Sequence, residues 1–115
     1  MISEGQIVLF RFPQTNQQSG KLRPALVVRK LPGRYEDWLV SMISSQLSQE
    51  VSGFDETISP EDPDFQDSGL KMASLIRVGR LAVVTADTFL GNIGRISEVR
   101  LTRIRHKLSQ WLQST

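Results

Sequence analysis

The sequence predicts one mostly β domain that ends in a single helix, folded as a small antiparallel barrel. Three observations predict this class. The chain has 115 residues, which is the length of one domain. Its apolar residues come in short runs separated by Gly, Pro and polar turns, and the apolar period changes to three and four only at the end. With 39% hydrophobic and 23% charged residues, the chain can bury an ordinary hydrophobic core.

Three strands are predicted in the first half of the chain, at residues 6–12, 24–29 and 38–43. The continuous apolar run at 25–28 indicates that the second strand is buried on both faces. The polar stretch 13–21 is predicted to be a loop, and its length for a hairpin connection indicates a functional role.

The second half contains two further strand candidates, at 72–78 and 80–85, divided by Gly79. The glycine-punctuated segment 89–95 is predicted to be turn structure. Before these strands, segment 51–67 contains two prolines and cannot form a central strand, although Phe54 and Ile58 are compatible with a short one.

The last segment is predicted to be an amphipathic helix. Its apolar residues recur at spacings of three and four. They are Leu101, Ile104, Leu108 and Trp111. Ser97 is the expected N-cap, with Glu98 in the first turn. We expect the basic side chains Arg100, Arg103 and Lys107 on the opposite face.

The net charge of +2 conceals an uneven distribution. Segment 50–67 contains seven acidic residues and no Lys or Arg. The rest of the chain contains all 14 basic residues and five of the 12 acidic ones, a net charge of +9. A body this basic can attract a polyanion such as nucleic acid. Alternatively, both groups of charges are solvated surfaces.

Several classes of site are excluded by composition. The absence of cysteine excludes disulfides, thiolate zinc sites and cysteine nucleophiles. The single histidine, His106, argues against a multi-histidine metal site and a Ser-His-Asp triad, and it reads more simply as a surface residue than as a general base. Phosphate-binding glycine motifs are missing, so we expect no cofactor and no metal. No apolar run is long enough for a membrane span, and the N-terminus lacks a secretory pattern, so we expect a cytoplasmic protein.

RNA cleavage needs only the remaining inventory of arginine, hydroxyl and amide groups. The substrate supplies its own 2′-hydroxyl nucleophile, and a planar guanidinium can contact two phosphoryl oxygens. Arg23 follows the polar loop and precedes a buried strand, so its backbone is rigid while its guanidinium can reach a cleft. Ser44 ends the third strand and would lie beside Arg23 if the second and third strands pair. Alternatively, Arg23 is a surface cation at the start of a strand, and Ser44 is a surface serine that is hydrogen-bonded to the local backbone.

The order of these segments resembles the PemK/MazF family of toxins. The resemblance begins with the strand 5–12 and its Pro13-x-Thr15 continuation, followed by Gly20 and the block Arg23-Pro24-Ala25-Leu26-Val27-Val28. It continues at 43–47 and 68–78 and in the final helix, so it covers nearly the whole chain.

The resemblance implies an SH3-like barrel, a homodimer, and a metal-independent endoribonuclease of a toxin–antitoxin system that cuts single-stranded RNA and is blocked by a partner antitoxin. In the MazF branch, the arginine of the Arg-Pro motif and a threonine at the strand end are catalytic. Arg23 matches the first, and Ser44 occupies the second position without the methyl group. The same resemblance implies RNA binding by the following residues: Thr15, Gln17, Lys21, Gln46 and Arg77.

The sequence departs from the PemK branch at that branch's other catalytic positions. Gln17, Met72 and Ser74 stand where PemK-like proteins have a histidine, an arginine and an aspartate, and the family's loop glutamate is replaced or missing. Activity would therefore follow the MazF-like route. Two other interpretations stay open: an inactive RNA- or protein-binding dimer, as in the related CcdB type, and a module whose basic helix face docks an acidic partner.

Overall fold

The computed structural model describes residues 2–11 and 21–115, and within them the chain forms six strands and two α-helices. The elements and their bounds are β1 (Gln6–Arg11), β2 (Leu22–Lys30), β3 (Asp37–Ser44), β4 (Glu56–Ile58), α1 (Phe65–Ser68), β5 (Ser74–Thr85), β6 (Gly91–Arg95) and α2 (Glu98–Gln113). Two short 3₁₀ turns, Leu47–Gln49 and Ala86–Thr88, follow β3 and β5. No helix in the described residues is long and apolar enough to cross a bilayer.

In the described residues the six strands form one antiparallel sheet in the order β4-β5-β3-β2-β1-β6. The sheet curls into a half-barrel, with α2 packed on its inner core. The predicted class, mostly β with a C-terminal helix in a PemK/MazF-like fold, is confirmed. The first three predicted strands are confirmed within about two residues at each end.

The prediction that Gly79 divides two strands is wrong, because β5 runs unbroken from Ser74 to Thr85. The register against β3 shifts between Ser41, which pairs with Leu81, and Met42, which pairs with Arg77. Gly79 lies in the resulting bulge, so the strand continues through it. The backbone of Val78 is paired there by side chains: its N–H donates to Asp55 at 3.0 Å, and its carbonyl accepts from Ser41 Oγ at 3.1 Å. A Cβ at Gly79 would lie 2.8 Å from the Phe54 ring, so glycine makes room for that ring.

The prediction of turn structure at 89–95 is also wrong, since residues 91–95 form the edge strand β6 against β1. Its glycines serve close packing. A Cβ at Gly94 would lie 2.2 Å from the Asp67 carbonyl oxygen. The C-terminal end of α1 can therefore approach β6 only because residue 94 has no side chain.

The core lies on both faces of the sheet. One cluster joins Ile7, Leu26, Val28 and Ile76 to Leu101 and Ile104 of α2, and the other gathers Val8, Phe10, Ala25, Val27, Trp38 and Val40 on the opposite face. Residues 25–28 alternate between the two clusters and are at most 2% exposed. The expected burial of β2 on both faces is confirmed.

The C-terminal helix begins as predicted. Ser97 Oγ accepts a hydrogen bond from the Arg100 backbone N–H at 3.1 Å, and Glu98 lies in the first turn. Leu101, Ile104 and Leu108 are buried as expected. Trp111 is half exposed and meets Phe54 edge to face, with ring centroids 5.6 Å apart.

Arg100 does not lie on a solvated helix face as the sequence predicted, and is only 7% exposed. Its guanidinium donates to Glu56 at 3.0 Å, to Asp62 at 3.0 Å and to Asp64 at 2.9 Å. Burying an arginine is tolerable only when its charge and its N–H groups are matched in this way.

The acidic segment and the helix thus neutralise one another. Arg103 and Lys107 also pair with Glu56, at 2.7 and 2.9 Å. Burial raises the pKa of Glu56, but the hydrogen bonds from Arg103 and Lys107 outweigh it and leave that pKa below its ordinary value. Burial likewise raises the pKa of Asp64, but the hydrogen bond from Arg100 outweighs it and leaves that pKa below its ordinary value. The cations proposed to dock an acidic partner already have one within the chain.

Candidate functional site

The candidate site lies on one face of the sheet, beyond the end of the second core cluster. Ala25 of β2 pairs with Met42 of β3, and Met42 pairs with Arg77 of β5. Alternate residues of a strand share a face. Arg23 is two residues before Ala25 and Ser44 is two residues after Met42, so both side chains lie on the same face as that pair. The sheet register therefore brings Arg23, Ser44 and Arg77 to the same place from three neighbouring strands.

Arg23 and Ser44 line two adjoining clefts. The first has a volume of about 490 Å³ and carries two further arginines. Its lining residues are Arg23, Met42, Ile43, Ser44, Gln46, Gln49, Arg77 and Arg80. The cleft is broad enough to admit part of a nucleic acid strand, and its arginines offer several contacts for phosphate.

The second cleft, of about 430 Å³, extends from the same residues toward the chain before β5. Besides Arg23, Ile43, Ser44 and Gln46 it is lined by Lys21, Leu22, Pro24, Ser45, Leu70, Met72 and Ser74. Its wall mixes apolar surface with hydroxyl and amide groups, which is the chemistry that contacts a nucleobase. Met72, 59% exposed, is part of this wall.

The Ser44 hydroxyl is held by two local contacts. It accepts a hydrogen bond from the Gln46 backbone N–H at 3.0 Å and donates one to Gln49 Oε1 at 3.4 Å. The same Gln49 oxygen accepts from Arg77 Nη1 at 3.4 Å. Gln49 therefore links the predicted catalytic hydroxyl to a neighbouring cation.

The charge of the two clefts is positive. They contain Lys21, Arg23, Arg77 and Arg80, and among the described residues no acidic side chain lines either one. Arg23 is exposed, and within the described ranges its guanidinium makes no hydrogen bond or ion pair with the protein. A charged fork that is free of protein partners can receive two phosphoryl oxygens.

The structure brings together the predicted site residues that it describes. β2 and β3 pair, as the proposal for Ser44 required, and Lys21, Gln46 and Arg77 line the same clefts as Arg23. Thr15 and Gln17 lie outside the described residues. His106 is exposed on α2 and lines neither of these clefts.

Sequence reasoning missed Gln49 and Arg80. Gln49 stands in a polar stretch after β3 whose 3₁₀ turn has no clear sequence pattern, and the sequence predicts Arg80 at the start of a separate strand. Met72 and Ser74, which stand at the positions of the PemK arginine and aspartate, line the second cleft. Both side chains are uncharged, and Ser74 Oγ donates to the Met72 carbonyl at 2.9 Å. No group of three His, Asp or Glu side chains arranged to hold a metal ion occurs in the described part of the chain.

Comparison with protein families gives a match over most of the chain. The family described as PemK-like, MazF-like toxin of type II toxin-antitoxin system matches residues 3–112. A search of curated proteins gave no match. The matched range contains the six described strands, α1, all of α2 except its last residue, and the residues that line both clefts.

Proposed function

Since the chain belongs to the family of PemK-like and MazF-like toxins of type II toxin–antitoxin systems, we propose that this toxin is an endoribonuclease that cuts single-stranded RNA without a metal ion. The observation that supports the proposal most is the convergence of Arg23 and Ser44 on the same cation-lined clefts. They lie on neighbouring strands that the sheet register aligns, although they are 21 positions apart in the sequence.

The proposed reaction is a transesterification within the RNA. The ribose 2′-oxygen forms a bond to the adjacent phosphorus, and its proton passes to water. The bond from phosphorus to the 5′-oxygen of the next nucleotide breaks, and that oxygen takes a proton from the Arg23 guanidinium, which regains one from water. The products are a 2′,3′-cyclic phosphate end and a 5′-hydroxyl end.

Arg23 carries most of the expected catalysis. Charge accumulates on the phosphoryl oxygens in the transition state, and a guanidinium fixed at a strand can bind two of them. The backbone of Arg23 is held in place because Pro24 and the buried residues 25–28 follow it directly in β2. Ser44 positions the substrate, while Lys21, Arg77 and Arg80 contact neighbouring phosphates.

Membership in a type II toxin family implies an antitoxin protein as partner.

We further propose that the toxin acts as a homodimer. Light scattering at micromolar concentration would then give twice the mass of one 13.0 kDa chain, and a monomeric mass would contradict this part of the proposal.

The test compares wild type with Arg23→Ala on mixed-sequence single-stranded RNA in EDTA. Discrete cuts with cyclic phosphate ends are expected from wild type. In Arg23→Ala they should fall by at least about a hundredfold, the cost of removing one charge-stabilising group. Arg29→Ala is the matched control, because Arg29 is exposed on the same strand but lines neither cleft.

Two results would contradict the proposal. Cleavage that survives Arg23→Ala would assign the activity to other residues. A folded wild-type protein that binds RNA but makes no cuts would support the inactive binding dimer, in which the departures from the PemK pattern have removed catalysis.

A further inference from the structure

Gln49 occupies a position in the first cleft to which the family resemblance assigned no role. It is the last residue of the 3₁₀ turn Leu47–Gln49, which follows β3 directly. The turn is closed by the Gln49 backbone N–H, which donates to the Gln46 carbonyl at 3.1 Å. This bend returns the Gln49 side chain to the cleft beside Ser44.

The contacts of Gln49 fix the orientation of its amide group. Arg77 Nη1 can only donate a hydrogen bond, so the Gln49 atom 3.4 Å away is the carbonyl oxygen. Ser44 Oγ lies 3.4 Å from the same oxygen and is the donor of a long hydrogen bond to it. Hydrogen bonds of this length in a site without substrate commonly tighten when the substrate binds.

The direction of the Ser44 proton decides what this hydroxyl can do. Its proton points to Gln49, and one of its lone pairs accepts from the Gln46 N–H at 3.0 Å. One lone pair remains for a substrate. A ribose 2′-hydroxyl can donate to that lone pair, whereas a phosphoryl oxygen, which only accepts, cannot.

Arg77 is placed by the same contact. Its Nη1 is held by Gln49, and its Nε is buried and meets no acceptor in the described part of the chain. Buried N–H groups of proteins are rarely left without an acceptor. The Gln49 contact is therefore the one side-chain hydrogen bond that the described residues give this guanidinium, which lines the first cleft and can face a phosphate next to the nucleotide whose 2′-hydroxyl is held by Ser44.

We propose that Gln49 is a positioning residue: it turns the Ser44 hydroxyl into an acceptor for the RNA 2′-hydroxyl and holds Arg77 beside it. The inference rests on the proposed ribonuclease function. It specifies which substrate atom Ser44 contacts, and it makes the Gln49 oxygen the group that sets this role.

The experiment measures kcat and KM for RNA cleavage by Gln49→Met and Gln49→Glu. Methionine keeps the length of the side chain without the oxygen, so kcat should fall about tenfold to a hundredfold through misplaced groups, with KM and Tm little changed. Glutamate keeps an acceptor oxygen and should restore much of kcat, while its charge repels phosphate and raises KM. Ser48→Ala, in the same exposed turn, is the control and should match wild type.

Two kinetic results would overturn the inference. One is a wild-type kcat in Gln49→Met, and the other is a Gln49→Glu variant as slow as Gln49→Met. With either result, the proposed function would still hold if wild type cleaves RNA and Arg23→Ala does not.

An NMR readout tests the contact without any cleavage. If Gln49 holds the guanidinium, the Arg77 Nε–Hε resonance should shift in Gln49→Met and exchange faster with water than in wild type. An unchanged resonance would overturn the inference. If wild type cuts no RNA, the proposed function fails together with the catalytic role of Gln49, and the resonance then decides only whether the contact forms.

Discussion

At the scale of single residues, two arginines show how the environment separates structure from function. Arg100 is buried among three carboxylates, and its hydrogen bond to Asp64 helps to raise its pKa despite burial. Arg23 is exposed in a cleft and, among the described residues, has no protein partner. The first guanidinium is committed to the fold, and the second is available for a ligand.

Ser44 provides the prediction at this scale. Ser44→Thr keeps the hydroxyl and restores the residue found in the MazF branch, so its cleavage rate should stay within about threefold of wild type. Ser44→Ala removes one hydrogen bond to substrate and should be slower by about tenfold to a hundredfold, which is the size expected for one misaligned contact. Initial rates on a single RNA oligonucleotide measure both. Equal losses in the two variants would show that the hydroxyl is not the group that matters.

At the scale of elements, the sequence predicts those whose pattern is local. The helix α2 and the strands β1 to β3 follow from periodicity, capping and apolar runs. The unbroken β5 and the edge strand β6 do not, because tertiary contacts override the local glycine signal. Asp55 and Ser41 pair the Val78 backbone from distant parts of the chain, and Gly94 leaves room for the C-terminal end of α1.

The contact between α2 and the acidic segment predicts a large effect for Arg100→Met. The substitution would leave Glu56, Asp62 and Asp64 without their central partner, and breaking a buried ion pair in this way costs about 3–5 kcal/mol. Urea unfolding followed by circular dichroism measures the loss. His106→Ala, exposed on the same helix, should change the free energy of unfolding by less than about 0.5 kcal/mol. An equally small change in Arg100→Met would mean that the network contributes nothing to stability.

The same contact predicts that stability falls in acid. The folded pKa values of Glu56 and Asp64 lie below their ordinary values of 4.5 and 3.8. A lowered folded pKa stabilises the protein above the unfolded pKa, and this contribution is lost as the pH falls through the folded pKa. The urea midpoint should therefore be steady from pH 7 to about pH 5 and decline below about pH 4.5. A midpoint that holds or rises down to pH 3 would contradict this assignment.

At the scale of the whole molecule, ion pairs within the chain divide the charged residues into a paired group around α2 and the cations of the clefts. Three of the seven acidic residues in segment 50–67 pair with Arg100, and Glu56 also binds Arg103 and Lys107. The cations of the clefts stay outside this network. The sequence showed the uneven charge but not its arrangement, because the pairs join residues about 40 positions apart.

The candidate site could be predicted from the sequence in part. Arg23 and Ser44 were identified through the family resemblance and the expected pairing of β2 with β3, which the structure confirms. Gln49 and Arg80 reach the cleft through a 3₁₀ turn and a shifted register, and neither feature has a reliable signature in a single sequence.

The central claim is that the cation-lined clefts cut RNA through its own 2′-hydroxyl. The most direct measurement uses an oligonucleotide that wild type cuts once, together with the same strand carrying a single 2′-deoxyribose 5′ of the cut, both in EDTA. We predict a 2′,3′-cyclic phosphate end from the first strand and no cut in the second, although the second binds with similar affinity. Cleavage of the deoxy-substituted strand at the same position would contradict the account.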